Sequence, residues 1–337
     1  MEKYTLLGRI GEGAHGYVLY GKRNHDGKEV ALKKVLVKKL SDGIPIPILR
    51  EIKTMQAIES KYVMELLDFF PRGAGFVLVT DFMPSGLWEV IHDKENPPSE
   101  ALIKSYMSML LKGVSHLHEN GIMHRDLKPA NLLIGSDGIL KIGDFGQARP
   151  MWKEKGKPYT QQVATRWYRA PELLYGTKKY TEAIDLWAVG CIFAELILKK
   201  PLFPGETDID QLAVVIKSLG TPNEINWPGH STLPDYNKIS FVYSKPIPWT
   251  TLVPGASQTT LDLVKSFVMY DSQKRLPAVQ ALNHPYFLTA PLALCENKVP
   301  KPPYNHRAVL KARDYGIVNK ADEQDYQDLH FFLDTVL

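Results

Sequence analysis

Hydrophobic and polar residues alternate with a period of two over most of the first 81 positions, a pattern that predicts β-strands. The runs are short and rich in β-branched and aromatic residues, and turn-forming residues separate several of them. Strands are predicted over residues 4–10, 16–20, 29–35, 63–70 and 76–81. One helix is predicted between the third and fourth strands. It begins near Pro45 to Pro47, because proline is tolerated in a first helical turn, and runs on to Ile58.

The period changes to 3.6 residues after residues 81–86, whose proline and glycine predict a linker. An apolar stripe over residues 103–117 predicts a long helix, with Ser99 as its N-cap and Asn120-Gly121 at its end. Further helices are predicted near residues 185–198, 208–219, 259–269 and 276–282, and a strand hairpin over 132–134 and 139–142. Residues 221–258 show little periodicity, which predicts a long insert that is a candidate docking surface.

Composition narrows the class of protein. The 337 residues, 44% hydrophobic and 23% charged, are typical of a globular protein large enough for two modest lobes. The net charge of +4 is too weak to favour a nucleic-acid partner. Cys191 and Cys295 form no CxxC pair, which favours a reducing compartment over a disulfide framework or a zinc site. The chain start does not resemble a secretory signal, and the most apolar run, residues 184–198, is short and carries two acidic groups, so no membrane insertion is expected.

A glycine-rich loop joins the first two predicted strands and comprises Gly11, Glu12, Gly13, Ala14, His15 and Gly16. The GxGxxG spacing alone is weak evidence, because dinucleotide-binding folds share it. In those folds the third glycine opens a helix, whereas here the chain continues as a strand. The loop is therefore expected to be a flap whose backbone amides approach phosphates.

Lys33 lies inside an apolar sequence in the third strand, and it is expected to reach the α- and β-phosphates of a nucleotide. Ala31 shares its face of the strand and is small enough to sit against a nucleobase. Glu51 on the predicted helix is expected to pair with Lys33. The alternative for both charged residues is a solvated surface position.

Residues 124–131 read HRDLKPAN, and Asp144-Phe145-Gly146 begins thirteen residues after Asn131. This spacing suits transfer of a phosphoryl group from a magnesium nucleotide to a hydroxyl. Asp126 is expected to accept the proton of the hydroxyl, Lys128 to face the transferring phosphate, and Asn131 and Asp144 to hold magnesium ions. HRD alone would also fit a buried turn with a salt bridge, but two motifs at this distance favour the catalytic interpretation.

A polar segment over residues 147–167 follows and contains Thr160. A phosphate on Thr160 would need positive partners, and Arg50, Arg125 and Arg149 are placed to supply them. The alternative is that these are three unrelated surface arginines.

Taken together, the motifs resemble those of a protein kinase over residues 1 to about 288. They are GEGAHGYV, VALK, HRDLKPAN, DFG, ATRWYRAPE and Asp185-Leu186-Trp187. The lysine in HRDLKP and the ATRWYRAPE segment are similar to serine/threonine kinases, and PIPILRE, GTPNE and LPDYNKISF resemble the cyclin-dependent kinases. The resemblance implies an α+β bilobal fold. It divides into a small β-rich N-lobe with one main helix (residues 1–83), a larger, mostly helical C-lobe (84–288) with the insert 221–258, and a C-terminal tail (289–337).

The resemblance also assigns roles to individual residues, with ATP and Mg²⁺ as cofactors. Asp126 and Lys128 act at the phosphate, Lys33 and Glu51 form an ion pair, and Asn131 and Asp144 hold the metal. The residues implied around the nucleotide base are Ile10, Val18, Ala31 and Leu133, with Asp81 and Met83 at the hinge and Thr80 at the depth of the pocket. Thr160 is the implied activating phosphosite, clamped by Arg50, Arg125 and Arg149, and Arg169 supports a pocket that prefers proline after the phosphoacceptor. Met55, Leu66, His124 and Phe145 fall at spine positions.

Three departures from the family pattern change these expectations. Ala14 and His15 replace an inhibitory Thr-Tyr pair, so control by phosphorylation there is not expected. Pro47 and Ile48 alter the cyclin-facing helix, and Gln147 replaces the usual leucine after Asp-Phe-Gly.

The expected partners are protein substrates with Ser-Pro or Thr-Pro sites, other kinases among them, a cyclin or cyclin-like activator, and an upstream activating kinase. The resemblance implies roles in cell-cycle entry and cilia, with a cytoplasmic and nuclear location. The rival hypothesis is a catalytically idle scaffold that binds partners through the insert or the tail, against which intact Lys33, Asp126, Asn131 and Asp144 argue. A mitogen-activated kinase would need a Thr-x-Tyr sequence, where this chain has Tyr159-Thr160-Gln161.

Overall fold

The computed structural model describes residues 2–13, 16–36, 45–72, 75–152, 157–303, 306 and 317–319. The first lobe is built on a six-stranded antiparallel sheet. Its strands are β1 (Glu2–Gly13), β2 (Gly16–Arg23), β3 (Glu29–Leu36), β4 (Asp68–Pro71), β5 (Gly75–Asp81) and β11 (Ile317–Asn319). They lie in the order β11-β1-β2-β3-β5-β4. The predicted strand-rich first part of the chain is confirmed.

The predicted fourth strand begins too early. Pairing with β5 starts at Asp68, whereas Val63 forms an isolated bridge with Ile142 and the Met64 N–H donates to the Ile142 carbonyl at 2.8 Å. Val63 and Met64 are buried, so their apolar side chains join the core next to Ile142 instead of extending the sheet.

Strand β11 comes from the tail and was not predicted. It pairs with the outer edge of β1, where Thr5 faces Ile317 and Tyr4 faces Val318. Edge strands present unpaired backbone groups, and a short added strand satisfies part of that edge.

The predicted first helix is confirmed as α1 (Ile46–Ala57), which follows Pro45 directly. Ile48, Leu49 and Ile52 face the core, with exposures of 5%, 3% and 0%. Ile48 therefore packs inside the lobe, and its effect on the cyclin-facing helix stays a prediction. Ile46 is 58% exposed and lies on the outer side, and the Pro47 side chain lies outside the described residues.

The predicted linker at residues 81–86 ends in a short strand, β6 (Ser85–Gly86), and an unpredicted helix follows, α2 (Leu87–His92). Strand β6 pairs with a hairpin made of β8 (Leu132–Ile134) and β9 (Leu140–Ile142), which confirms the predicted hairpin. A second small sheet pairs β7 (Ile122–Met123) with β10 (Arg149–Pro150). The linker is thus hydrogen-bonded to the hairpin that precedes Asp144-Phe145-Gly146.

The second lobe is mainly helical. Besides α2, its described helices are α3 (Glu100–Glu119), α4 (Pro171–Leu174), α5 (Ala183–Leu198), α6 (Asp208–Leu219), α7 (Trp249–Leu252), α8 (Gln258–Phe267), α9 (Ala278–Ala281) and α10 (Pro285–Leu288). The predicted cap of α3 is confirmed, because the Ser99 side chain accepts the Leu102 N–H at 3.3 Å. Among the helices described, none has the length and apolar character needed to cross a membrane.

A buried ion pair links two distant segments of this lobe. Arg275 donates to both carboxylate oxygens of Glu172 at 2.7 Å, and its guanidinium lies 5.1 Å from the centre of the Trp187 ring. Both partners are nearly inaccessible to solvent, with exposures of 3% and 7%. The bidentate geometry offsets the desolvation of the two charges and fixes α4 against α5.

The insert over residues 221–258 contains α7 and two short 3₁₀ turns, His230–Thr232 and Tyr236–Lys238, which agrees with its lack of periodicity. Ile225, Val242 and Tyr243 are exposed there by 87%, 88% and 71%. Its use as a docking surface stays a prediction.

Candidate active site

Asp126 lies at the centre of a hydrogen-bond network and is only 4% exposed. Its Oδ1 accepts the Thr165 N–H at 2.8 Å and the Thr165 hydroxyl at 2.9 Å. Its Oδ2 lies 2.9 Å from Lys128 Nζ and 3.2 Å from Asn131 Nδ2. Lys128 Nζ also donates to Thr165 Oγ1 at 2.8 Å. An oriented carboxylate beside a cation is suited to accept a proton from a hydroxyl that arrives next to a phosphate.

Asp185 on α5 holds the backbone that carries Asp126. It accepts the N–H of His124 at Oδ2 and the N–H of Arg125 at Oδ1, both at 2.8 Å, while His118 Nε2 lies 3.0 Å from Oδ2. Arg125 has a φ of 66°, a left-handed conformation that side-chain-bearing residues seldom adopt without restraint. Burial alone would raise the pKa of Asp185, but His118 and the other donors hold it below its ordinary value.

Asn131 and Asp144 are brought together by the β8–β9 hairpin. Asn131 precedes β8 directly, Asp144 follows β9 by two residues, and the Gly143 N–H donates to the Asn131 carbonyl at 2.9 Å. Asn131 Nδ2 donates to the Asp126 carbonyl at 2.8 Å, which assigns its Oδ1 as the atom that remains for a ligand. Asp144 has a φ of 57°, so its conformation is also left-handed.

Lys33 joins the two lobes through an ion-pair network. Its Nζ lies 2.6 Å from Glu51 Oε1 and 2.9 Å from Asp144 Oδ1. Burial opposes the charged form of Lys33, yet the two carboxylates raise its pKa above the ordinary value. Burial likewise favours the neutral form of Asp144, but the Lys33 ammonium lowers its pKa. Both groups are therefore charged at neutral pH, and the alternative of a solvated Lys33 and Glu51 is excluded by the contacts.

The residues at this site fit a magnesium ion shared with a nucleotide. Asn131 offers an amide oxygen, and the Asp144 side chain is a charged carboxylate with 48% exposure. No group of three or more His, Cys, Asp or Glu suited to hold a metal occurs in the part of the chain that the structure describes. Mg²⁺ typically takes one or two protein oxygen ligands and completes its shell with phosphates and water, so this sparse set agrees with its chemistry.

The expected base-binding residues come from both lobes, Leu133 from the β8–β9 hairpin and most of the others from strands of the first lobe. Val18 faces Lys33 across β2 and β3, and Ala31 faces Thr80 across β3 and β5. Ile10, Val18, Ala31, Thr80 and Leu133 are all half-buried, as side chains at the wall of an open cleft would be. Met83 is buried, and the carboxylate of Asp81 pairs with Lys28 at 2.6 Å. Any contact of Asp81 with a nucleotide would therefore come from its backbone.

The glycine loop is only partly described. Strands β1 and β2 pair up to Gly13 and Gly16, Glu12 is described by its backbone alone, and Ala14 and His15 lie outside the described residues. A Cβ on Gly16 would lie 1.8 Å from the Lys34 carbonyl oxygen. This glycine is therefore required by the close approach of β3, a reason separate from phosphate binding.

The four residues assigned to a spine lie in the buried core or against it. Met55 and Phe145 belong to the main hydrophobic cluster and Leu66 packs against it. The His124 ring meets the Phe145 ring edge to face at 5.1 Å, and His124 Nε2 lies 2.9 Å from the Gly143 carbonyl.

The three arginines expected around Thr160 lie near one another. Burial lowers the pKa of Arg50, and the positive charges of Arg149 and Arg125 lower it further. Arg125 Nη1 donates to the Tyr180 hydroxyl at 2.8 Å, and that hydroxyl donates to the Thr160 carbonyl at 2.6 Å. This arrangement favours a shared role for the three arginines, and a clamp around a phosphate on Thr160 stays a prediction.

Arg149 packs against aromatic rings just before Thr160. Its guanidinium lies 5.1 Å from the ring centre of Trp152 and 5.6 Å from that of Tyr159. Thr160 itself is exposed.

Sequence reasoning missed three functional contacts. Thr165, which binds both Asp126 and Lys128, was read only as part of the ATRWYRAPE motif. His118 was given no role in the site, and its ring contacts Asp185. Tyr180, which connects Arg125 to Thr160, had no recognisable signal, because an isolated tyrosine in a loop has no periodic pattern.

Comparison with known proteins agrees with this geometry. The protein kinase domain family matches residues 4–287. A cyclin-dependent kinase 20 from Danio rerio is 57% identical over 303 residues, covering 90% of this chain and 88% of the relative. Cyclin-dependent kinase 20 from Rattus norvegicus is 54% identical with the same coverage.

A solved structure described as the CAK complex of Chaetomium thermophilum bound to ATP-gamma-S matches with a TM-score of 0.80 and 35% identity. The match covers 89% of this chain and 96% of the other chain. The fold, the motifs in their spatial arrangement and these similarities lead to one conclusion. The chain belongs to the protein kinase family and, within it, to the cyclin-dependent kinases, which are protein serine/threonine kinases.

Proposed function

We propose that this enzyme is a proline-directed kinase that uses ATP with magnesium and is activated by phosphorylation of Thr160. The observation that carries the proline preference is the position of two backbone carbonyls. Arg169 Nε donates to the Val163 carbonyl and Arg169 Nη2 to the Ala164 carbonyl, both at 2.9 Å.

The residues around Asp126 divide the work of phosphoryl transfer. Asp126 accepts the proton of the substrate hydroxyl, and Lys128 stabilises negative charge on the phosphoryl oxygens. Lys33, held by Glu51, binds the α- and β-phosphates. Asn131 and Asp144 would hold Mg²⁺, which when bound neutralises charge on the phosphates. The ATP analogue in the similar solved structure supports ATP as the nucleotide.

A groove beside Asp126 is suited to the residue that follows the phosphoacceptor. It is lined by Ala164, Thr165, Arg166, Trp167, Arg169, Pro204, Gly205 and Glu206. Arg169 occupies the carbonyls of Val163 and Ala164, so they are poorly placed to accept a peptide N–H. Proline has no backbone N–H to leave unsatisfied, whereas every other residue does.

The test compares two peptides that differ at one position, Ser-Pro and Ser-Ala. A buried unsatisfied N–H costs about 1–3 kcal/mol, so kcat/KM should favour Ser-Pro by roughly 5- to 100-fold. Equal kcat/KM values for the two peptides would refute the proline preference. Asp126→Asn serves as the inactive control, because it removes the base and leaves the side-chain size unchanged.

Activation through Thr160 is supported by the cluster of Arg50, Arg125 and Arg149. Three cations close together repel one another, and a phosphate would relieve that repulsion with charge-assisted hydrogen bonds. Thr160→Ala should lower kcat/KM for the Ser-Pro peptide, whereas Thr251→Ala, at an exposed position of the C-lobe, should not. Unchanged activity of the wild type after complete dephosphorylation would contradict this proposal.

We also propose a cyclin or cyclin-like activator and an upstream activating kinase as partners, since the relatives named above are cyclin-dependent kinases. Exposed Ile46 at the start of α1 is a candidate contact for the activator. Co-purification of the full chain, compared with Ile46→Glu, tests this, and equal recovery of the same activator would contradict it. Localisation to cytoplasm, nucleus and cilium and use of other kinases as substrates stay predictions. The idle scaffold is disfavoured by the assembled Lys33–Glu51–Asp144 network.

A further inference from the structure

Gln147 lies between the Asp-Phe-Gly motif and the segment that lines the peptide groove. Its backbone carbonyl accepts from Arg125 Nε at 2.7 Å, which ties it to the loop that carries Asp126. Its side-chain Oε1 accepts the N–H of Ala164 at 3.3 Å. One residue therefore contacts both the catalytic loop and the groove.

Ala164 needs such a contact because its backbone is unusual. Its φ is 64°, in the left-handed region that residues with a Cβ seldom occupy. Its N–H is held by Gln147 and its carbonyl by Arg169 Nη2, so the peptide groups on both sides of its Cα are restrained. The orientation of the two carbonyls that favour proline depends on this conformation.

The same turn controls the surroundings of the base. Thr165 follows Ala164 directly and donates to Asp126 through its N–H and its hydroxyl, at 2.8 and 2.9 Å. A rotation at Ala164 would move Thr165 and change the shape of the groove at the point where the phosphoacceptor must approach Asp126. It would leave Lys33, Asn131 and Asp144 in place, because other contacts hold those residues.

We propose that Gln147 is a positioning residue for peptide binding: its side-chain oxygen fixes the left-handed turn at Ala164 and thereby the groove for the residue after the phosphoacceptor. A leucine would fill a similar volume but offers no acceptor to the Ala164 N–H. The inference deepens the proposed function and rests on it, because the groove it concerns is the one assigned to proline.

The experiment uses the full chain and measures KM for a Ser-Pro peptide, KM for ATP, kcat and the thermal unfolding midpoint. Gln147→Leu should raise the peptide KM by roughly 3- to 10-fold, the value of one neutral hydrogen bond, and leave the KM for ATP within about twofold. Gln147→Glu keeps an acceptor oxygen and should restore a peptide KM near that of the wild type. Gln280→Leu makes the same chemical change at an exposed position of α9 and should match the wild type in every quantity.

A second measurement addresses the turn itself. Glycine adopts the left-handed conformation without the Cβ penalty, so Ala164→Gly should make the groove less dependent on the contact from position 147. The effect of Gln147→Leu on the peptide KM should therefore be smaller in the Ala164→Gly background than in the wild type. This comparison remains informative if Gln147→Leu by itself lowers the unfolding midpoint.

Three results would overturn the inference. These are an unchanged peptide KM in Gln147→Leu, equal increases in the KM for peptide and for ATP, and an effect of Gln147→Glu as large as that of Gln147→Leu. Failure of the proposed function has a different signature: the wild type itself would then phosphorylate Ser-Ala and Ser-Pro peptides equally.

Discussion

Replacing Asp185 by asparagine tests whether the active site depends on a carboxylate that touches no substrate. Asp185 lies on α5 and is 1% exposed. Both of its oxygens accept hydrogen bonds. Oδ1 accepts the Arg125 N–H at 2.8 Å, Oδ2 accepts the His124 N–H at 2.8 Å, and His118 Nε2 lies 3.0 Å from Oδ2. An amide of the same size supplies only one acceptor, and its NH₂ group would face one of these donors.

The magnitude follows from the bonds that are lost. Asp185→Asn leaves one buried backbone N–H without an acceptor, which costs about 1–3 kcal/mol, and it weakens the remaining bond by removing the charge. We therefore expect the free energy of unfolding to fall by about 3 kcal/mol. The loop from His124 to Asp126 would lose its restraint, including the left-handed backbone of Arg125, so kcat should fall even under conditions where the protein is fully folded.

The assay combines urea unfolding with peptide phosphorylation at several pH values. The pKa of Asp185 is lowered in the folded protein relative to its ordinary value of 3.8, so protons bind the unfolded form more readily. Its stabilising contribution is therefore present above pH 3.8 and is lost as pH falls through the folded pKa. Asp185→Asn should lose stability less steeply than the wild type as the pH is lowered through this range.

The control is Asp262→Asn, which makes the same change at a side chain with 45% exposure. Its ion pair with Lys265 is exposed, and such pairs contribute about 0–1 kcal/mol. If Asp185→Asn behaved like this control in both unfolding and kcat, the argument that Asp185 fixes the catalytic loop would be refuted.

Three further predictions concern other parts of the molecule. Arg275→Met leaves the Glu172 carboxylate buried without its partner, so urea unfolding should show the free energy of unfolding reduced by about 3–5 kcal/mol. The double variant Glu172→Leu/Arg275→Met should recover most of this loss, and a loss below about 1 kcal/mol in Arg275→Met would contradict the prediction. Lys33→Met should lower kcat at least ~100-fold in a peptide assay with little change in the unfolding midpoint, and activity within tenfold of wild type would count against the role of Lys33. A chain ending at Pro303 lacks β11, so hydrogen exchange in residues 2–8 should be faster; identical exchange would show that β11 does not protect β1.

The sequence alone determined the catalytic motifs and most regular elements, because both are local properties. HRDLKPAN places Asp126, Lys128 and Asn131 within five residues of one another, so few folds could separate them. The helix α3 was predictable with its caps, since an apolar stripe and a terminal serine are read from neighbouring positions. The same reasoning located the hairpin that delivers Asp144.

Tertiary structure alone decided the contacts between distant segments. Thr165 reaches Asp126 across 39 positions and Asp185 reaches Arg125 across 60, and no periodic pattern encodes such distances. The early start predicted for the fourth strand, at Val63, was wrong for the same reason, because an apolar run suits either a sheet or the core beside Ile142. Gln147 had no interpretation in the sequence, and its contact with Ala164 depends on a left-handed turn that only the folded backbone reveals.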